Sequence, residues 1–170
     1  EEAAERRDLW LARRPEWEEE VSRAVCGLGK GKAVVVGIPG AAFLESLQEG
    51  KRLLLAVDTC DVAVSEAQAR FLPAWYHPRP VELLPLVEAE GLGMVVAAFP
   101  ECLTGDELTG LAAWAGERLD GEGVFVAALN RGRSDALCGD PGFVRYWPRR
   151  FLGALMRAQG FEVELLKGGG

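Results

Sequence analysis

Four stretches of the chain are apolar almost without interruption: AVVV at Ala33–Val36, LLLAV at Leu53–Val57, MVVAAF at Met94–Phe99 and VFVAAL at Val124–Leu129. Unbroken runs of this kind, rich in β-branched residues, mark strands covered on both faces, as in parallel sheets. Between them the apolar positions recur at helical spacing. Phe43, Leu44 and Leu47 predict a short helix closed at Gly50, and Val62, Ala63, Glu66, Ala67 and Arg70 predict a second with Asp61 as N-cap. Thr104-Gly-Asp-Glu107 has the spacing of a capping box and opens a third, with Leu108, Leu111, Ala112, Ala115 and Leu119 facing inward. Leu119–Gly123 reads as the turn out of it. Pro148 starts a last helix that buries Phe151, Leu152, Leu155 and Met156 and ends at Gly160. Phe161, Val163 and Leu165 then alternate with Glu162 and Glu164, the pattern of a half-exposed strand.

Two stretches break this rhythm. Pro73–Pro80, PAWYHPRP, carries too many prolines for regular structure and is expected to be a loop, followed by a short strand candidate at Val81–Leu84. Residues 130–147, with Gly132, Gly139, Pro141 and Gly142, are expected to be irregular. Ahead of the first strand, residues 2–13 read as one helix. Pro15 opens another, with Trp17, Val21, Val25 and Leu28 on one face and Gly27, Gly29 and Gly31 ending it. Strand and helix thus alternate with short connections, as right-handed parallel units require. The expected architecture is one α/β domain: a helical preface over residues 1–31 and a core over 32–166, with a mostly parallel sheet of about six strands between helices.

Composition narrows the class. A chain of 170 residues is long enough for one sizeable core, and no apolar run approaches the roughly 20 residues that span a bilayer. The opening EEAAERRDLW is charged and helical in character, unlike a signal peptide. A net charge of −7 disfavours a nucleic-acid surface over the whole molecule. The charge is uneven: nine acids and one base lie between Glu82 and Glu122, six arginines and two acids between Arg131 and Arg157. Cys26, Cys60, Cys102 and Cys138 form no C-x-x-C pair and His77 is the single histidine, so no metal site is expected. A cytoplasmic protein with reduced thiols is the expectation, and a homo-oligomer is left open.

Three constellations carry chemistry. The turn Gly37-Ile38-Pro39-Gly40-Ala41 follows the first strand, and Asp58 ends the second, 21 residues after Gly37. In doubly wound sheets ligands bind outside the carboxyl ends of the strands. Glycines there let the backbone approach a ligand, and an acid ending the next strand accepts from ribose hydroxyls. An ordinary tight turn, with Asp58 capping the following helix, is the plainer reading. Trp75, Tyr76 and His77 gather in the proline-rich loop, either as packing on the sheet edge or beside a ligand. Arg131 and Arg133, with Arg145, Tyr146, Arg149 and Arg150, follow the fourth strong strand and suit a carboxylate or phosphate, or simply balance the acidic middle of the chain.

In order and spacing, VVVGIPGAA, LLLAVDTCDVAVSEAQARF, LAAWAGERLDGEGVFVAAL and YWPRRFLGALMRAQGFEVELL resemble the class I S-adenosylmethionine-dependent methyltransferases over roughly residues 33–166. VELLPL is similar to that family's short third strand and the Leu-Pro pair after it. The resemblance implies a Rossmann-like three-layer sandwich and S-adenosylmethionine as cofactor. It places Gly37, Pro39, Gly40, Ala41, Asp58, Thr59 and Phe99 around the cofactor, and Tyr76, His77, Arg131, Arg133 and Tyr146 toward a small-molecule or protein substrate that stays unidentified. The family's first motif usually reads acid-x-G-x-G-x-G; here Val35, Pro39 and Ala41 replace the acid and two glycines. Gly93 stands where an Asp often begins the fourth strand, and no counterpart of the family's final antiparallel strand follows Phe161. The alternative is a non-catalytic module that keeps the fold for binding or assembly. A nucleotide-binding protein with a G-x-G-x-x-G turn is disfavoured.

Overall fold

In the computed structural model, which describes residue 19, residues 22–128 and residues 148–164, β1 (Ala33–Val36) lies at the centre of a parallel sheet. Its neighbours are β2 (Leu53–Asp58) and β4 (Leu92–Ala97). β3 (Ala74–Tyr76) pairs with β2 and β5 (Leu119–Ala127) with β4, giving five strands in the order β3-β2-β1-β4-β5. The helices are α1 (Ala41–Glu49), α2 (Asp61–Ala69), α3 (Pro80–Leu83), α4 (Gly105–Arg118) and α5 (Arg149–Ala158). A helical segment ending at Val25 precedes the sheet, and the rest of the expected preface lies outside the described residues.

Strand periodicity sorts the core into two layers. Ala33, Val35, Ala56, Met94 and Val96 face one way and pack with Phe43, Leu44 and Leu47 of α1 and Val64 and Ala67 of α2. Val34, Val36, Leu55, Val57, Val95 and Ala97 face the other way, onto Leu108, Leu111, Ala112 and Ala115 of α4 and Leu152 and Met156 of α5. β1 and β4 are apolar on every residue because both of their faces are covered. The capping box of α4 forms as its spacing requires: Glu107 N donates to Thr104 Oγ1 at 3.1 Å, and Thr104 N to a Glu107 carboxylate oxygen at 3.2 Å.

Several local expectations are corrected. Ala74–Tyr76 is a strand, not loop, because the prolines at 73, 78 and 80 fall outside its three residues and leave an edge free to pair. The strand expected at Val81–Leu84 is helical: Pro80 occupies the first position of α3, where its fixed φ suits a helix, and a 3₁₀ turn at Leu84–Leu86 follows. The N-cap of α2 is Cys60, with Asp61 already inside the helix; Val64 is buried in place of the exposed Val62. Leu119–Gly123 belongs to β5, whose register shifts there. Phe151 is exposed on α5, and residues 161–164 form no strand; Phe161 instead packs on Phe125 with ring centroids 5.8 Å apart.

One packing contact fixes the entry to the sheet. Gly29 (φ +62°) and Gly93, the second residue of β4, meet backbone to backbone: a Cβ on Gly93 would collide with the Lys30 carbonyl, and one on Gly29 with the Gly93 carbonyl. No side chain of any kind fits at Gly93, which is the physical reason an acid is missing there. Gly93→Ala is expected to destabilise the fold by about 1–3 kcal/mol, read as a lower urea midpoint; an unchanged midpoint would contradict this packing. Phe71, 94% exposed at φ +60°, is a bulky residue held in the left-handed region. Phe71→Gly is expected to stabilise by about 0.5–1 kcal/mol in the same measurement, because strain relief outweighs the added freedom of the unfolded chain.

Candidate functional site at the carboxyl edge of the sheet

β1 and β2 run parallel, so the turn after one and the acid ending the other emerge on the same edge. Val36 and Val57 are register partners, and Gly37 N donates to the Val57 carbonyl at 2.8 Å, carrying the pairing one residue into the turn. Gly37 then takes φ +86°, a conformation that favours glycine. The reversal aims the next amide at the neighbouring strand. Ile38 N donates to Asp58 Oδ2 at 2.6 Å, and Cys60 N, just ahead of α2, to Asp58 Oδ1 at 2.9 Å. Thr59 Oγ1 lies 3.5 Å from the same Oδ1. Asp58 is 2% exposed, and two amides compensate the burial of its charge. Both sequence readings of Asp58 therefore meet in one carboxylate: it stands at the strand tip facing the glycine turn, and it also orders the start of α2.

The remaining positions fall into three groups. Pro39 is buried, Gly40 is the N-cap of α1 in extended backbone, and Ala41 is the first helical residue, 8% exposed. Phe99, two residues past β4, packs over the turn: a Cβ on Gly37 would lie 2.9 Å from Phe99 Cδ2. Tyr76 is the register partner of Asp58, and His77 N donates to the Asp58 carbonyl at 3.0 Å. His77 Nδ1 accepts from Arg79 N at 3.0 Å, so the imidazole is held by its own turn. Trp75 points to the other face of the sheet, beside Leu54, Leu55, Leu83 and Leu86, away from Asp58. Arg131, Arg133 and Tyr146 lie outside the described residues.

The structure thus brings Gly37, Pro39, Gly40, Ala41, Asp58, Thr59, Tyr76, His77 and Phe99 to one edge. An acid at a strand tip beside a glycine turn is the arrangement that holds ribose hydroxyls in doubly wound sheets. Both Asp58 oxygens already accept from amides in a buried setting, and Phe99 covers the backbone of Gly37, so a diol reaches this carboxylate only where the turn and Phe99 give way. The methionine end of the family's cofactor meets a different surface from the usual one: Pro39 contributes no N–H and Ala41 brings a Cβ. Val35, at the motif's acid position, is fully buried beneath α1 and cannot reach this edge. Sequence reasoning missed the Ile38 amide, since no side chain announces it; the signal was the glycine before it, which turns that amide toward Asp58.

No protein-family model matches the chain, and no curated protein matches it in sequence. Among solved structures it is similar to an S-adenosylmethionine-dependent methyltransferase from Archaeoglobus fulgidus, at TM-score 0.68 and 18% identity, covering 92% of this chain and 69% of that one. A second, from Thermotoga maritima, is described as an S-adenosylmethionine-dependent methyltransferase and possible histamine N-methyltransferase; it has TM-score 0.67 and 21% identity over 92% of this chain and 76% of that one. An O-methyltransferase family protein from Burkholderia thailandensis gives TM-score 0.60 and 14% identity, covering 93% of this chain and 55% of that one. With its strand order, its helices on both faces and its acid at the tip of β2, the chain has the fold of the class I S-adenosylmethionine-dependent methyltransferases.

Proposed function

We propose that this protein is an S-adenosylmethionine-dependent methyltransferase in which Asp58 binds the ribose hydroxyls of the cofactor. The observation that carries this reading is the Asp58 carboxylate, fixed at the tip of β2 by Ile38 N at 2.6 Å and Cys60 N at 2.9 Å. Two amide donors set the orientation of the carboxylate before any ligand arrives, which lowers the ordering cost of binding. Tyr76, the partner of Asp58 on β3, and His77 just after it fit the base end of the nucleoside better than a methyl acceptor. Gly37, Gly40 and Ala41 border the path from ribose to methionine, with Phe99 as its wall from β4.

When bound, the cofactor supplies an electrophilic methyl group on a sulfonium. What the chain must do is hold the acceptor in line and exclude water, and neither task requires an acid–base pair. Arg131 and Arg133 follow β5 in sequence and are proposed to select an anionic acceptor. A second reading, a methyltransferase-fold module used for binding or assembly, is favoured by Phe99 packed over Gly37 together with Pro39 and Ala41.

Thermal unfolding separates the two. S-adenosylmethionine or S-adenosylhomocysteine at millimolar concentration is expected to raise Tm by about 2 °C or more, and NAD to leave it unchanged. No response to either adenosyl ligand would sink the enzyme reading and leave the module. Asp58→Asn keeps an acceptor for one of the two amides and is expected to abolish the shift; a shift of full size in this variant would place the ligand elsewhere.

A further inference from the structure

A second constellation lies at the opposite edge of the sheet. Lys30, Lys32, Lys51 and Arg52 surround a concavity of about 380 Å³ that Gly29, Gly31 and Gly50 also line. Parallel pairing assembles it: Ala33 and Leu53 are register partners, so the residues just ahead of β1 and β2 share one edge. Arg52 Nε donates to the Gly31 carbonyl at 2.9 Å, Nη1 to Cys26 and Nη2 to Leu28, both at 2.8 Å. These carbonyls take three of the five guanidinium N–H groups without neutralising its charge. Lys32 Nζ donates to the Lys51 carbonyl at 2.7 Å, which is equally neutral.

Among the described residues none of the four cations has a carboxylate within ion-pair distance, whereas Arg23, Arg79 and Arg118 each have one and Arg70 has two. The Cys26 thiol supplies no negative charge either, because burial pushes its pKa up against the pull of Arg52. Among the described residues, four like charges therefore line one concavity without a carboxylate partner, in a protein whose net charge is −7. The scaffold beneath them is fixed. The Arg52 bonds hold the loop from Cys26 to Gly31 at three carbonyls, and the contact of Gly29 and Lys30 with Gly93 locks it onto β4. The amides of Gly29, Lys30 and Gly31 donate to no backbone acceptor among the described residues.

We propose that this concavity binds a small polyphosphate group, either free or carried by a nucleotide. Lysine ammonium groups and loop amides are the donors that phosphate oxygens take, and they gain most where several converge. The volume of about 380 Å³ suits a small ligand. The net charge of −7 repels a long polyanion such as RNA while leaving a local positive field for a short one. The site stands apart from Asp58, at the other end of the strands, and does not depend on the methyltransferase reading.

The test is calorimetric titration of the full chain with inorganic pyrophosphate and with ADP, using sodium chloride at matched ionic strength as the control. Saturable one-site binding is expected, weakened about tenfold or more in the double variant Lys30→Gln, Lys51→Gln and retained in Lys30→Arg, Lys51→Arg. Both positions are exposed, so the fold is expected to survive, and unchanged thermal unfolding without ligand checks this. Tighter binding of ADP than of pyrophosphate assigns a nucleotide, and equal binding a free polyphosphate. In either case S-adenosylhomocysteine leaves the isotherm unaltered. Heats that follow ionic strength alone, full affinity in the glutamine variant, or competition by S-adenosylhomocysteine would each overturn the proposal.

Discussion

The central constraint is the confinement of β1. Its four residues are buried on both faces, and the strand pairs with β2 on one side and β4 on the other. A strand so enclosed has no freedom to slip, since a shift of one residue would exchange its two apolar layers. Its ends are therefore fixed in space, and whatever the chain places just before and just after it is presented at a defined edge. Gly37 owes its position to this, as does Lys32. The Asp58 carboxylate then joins the turn after β1 to the tip of β2, so that the carboxyl edge is held by side chain as well as by ladder.

What could be read from the sequence follows the same division. The buried strands and the helices packed on them were legible because their apolar periods leave one arrangement, and the α4 capping box because its two partners lie three residues apart. Asp58 was legible as a strand-ending acid. The errors fall where tertiary pairing decides. Ala74–Tyr76 became a strand only because β2 offers an open side, and the tail at residues 161–164 turned away to pack Phe161 on Phe125. The basic concavity was overlooked although both of its parts, LGKGK and EGKR, stand immediately before apolar runs. Two such segments preceding neighbouring parallel strands must meet, and that inference was open once the strand order was known.

The departures from the usual first motif gain a physical account from their surroundings. Val35 is part of the layer beneath α1, where a carboxylate would be stranded without water. Gly93 is required by the Gly29–Lys30 backbone, which leaves no room for an acid at that position. These two replacements are matters of packing and say little about ligand. Pro39, Ala41 and Phe99 differ in kind, because they shape the surface that a ligand would touch.

The edge strand β3 has a consequence for how the protein behaves in a crowd. Parallel sheets usually hide their margins, and an uncovered margin invites strands from other chains. Here β3 is three residues long, with Pro73 before it and Pro78 and Pro80 after it. Ala74 N–H donates to the Leu72 carbonyl at 2.9 Å, and the Ala74 carbonyl accepts from Gln68 Nε2 at 2.8 Å, so both polar groups of its first residue are occupied within the chain. An incoming strand would find too short a template to begin pairing. The prolines that seemed to forbid a strand serve instead to end it, and they leave a margin of three residues for any added strand to pair with.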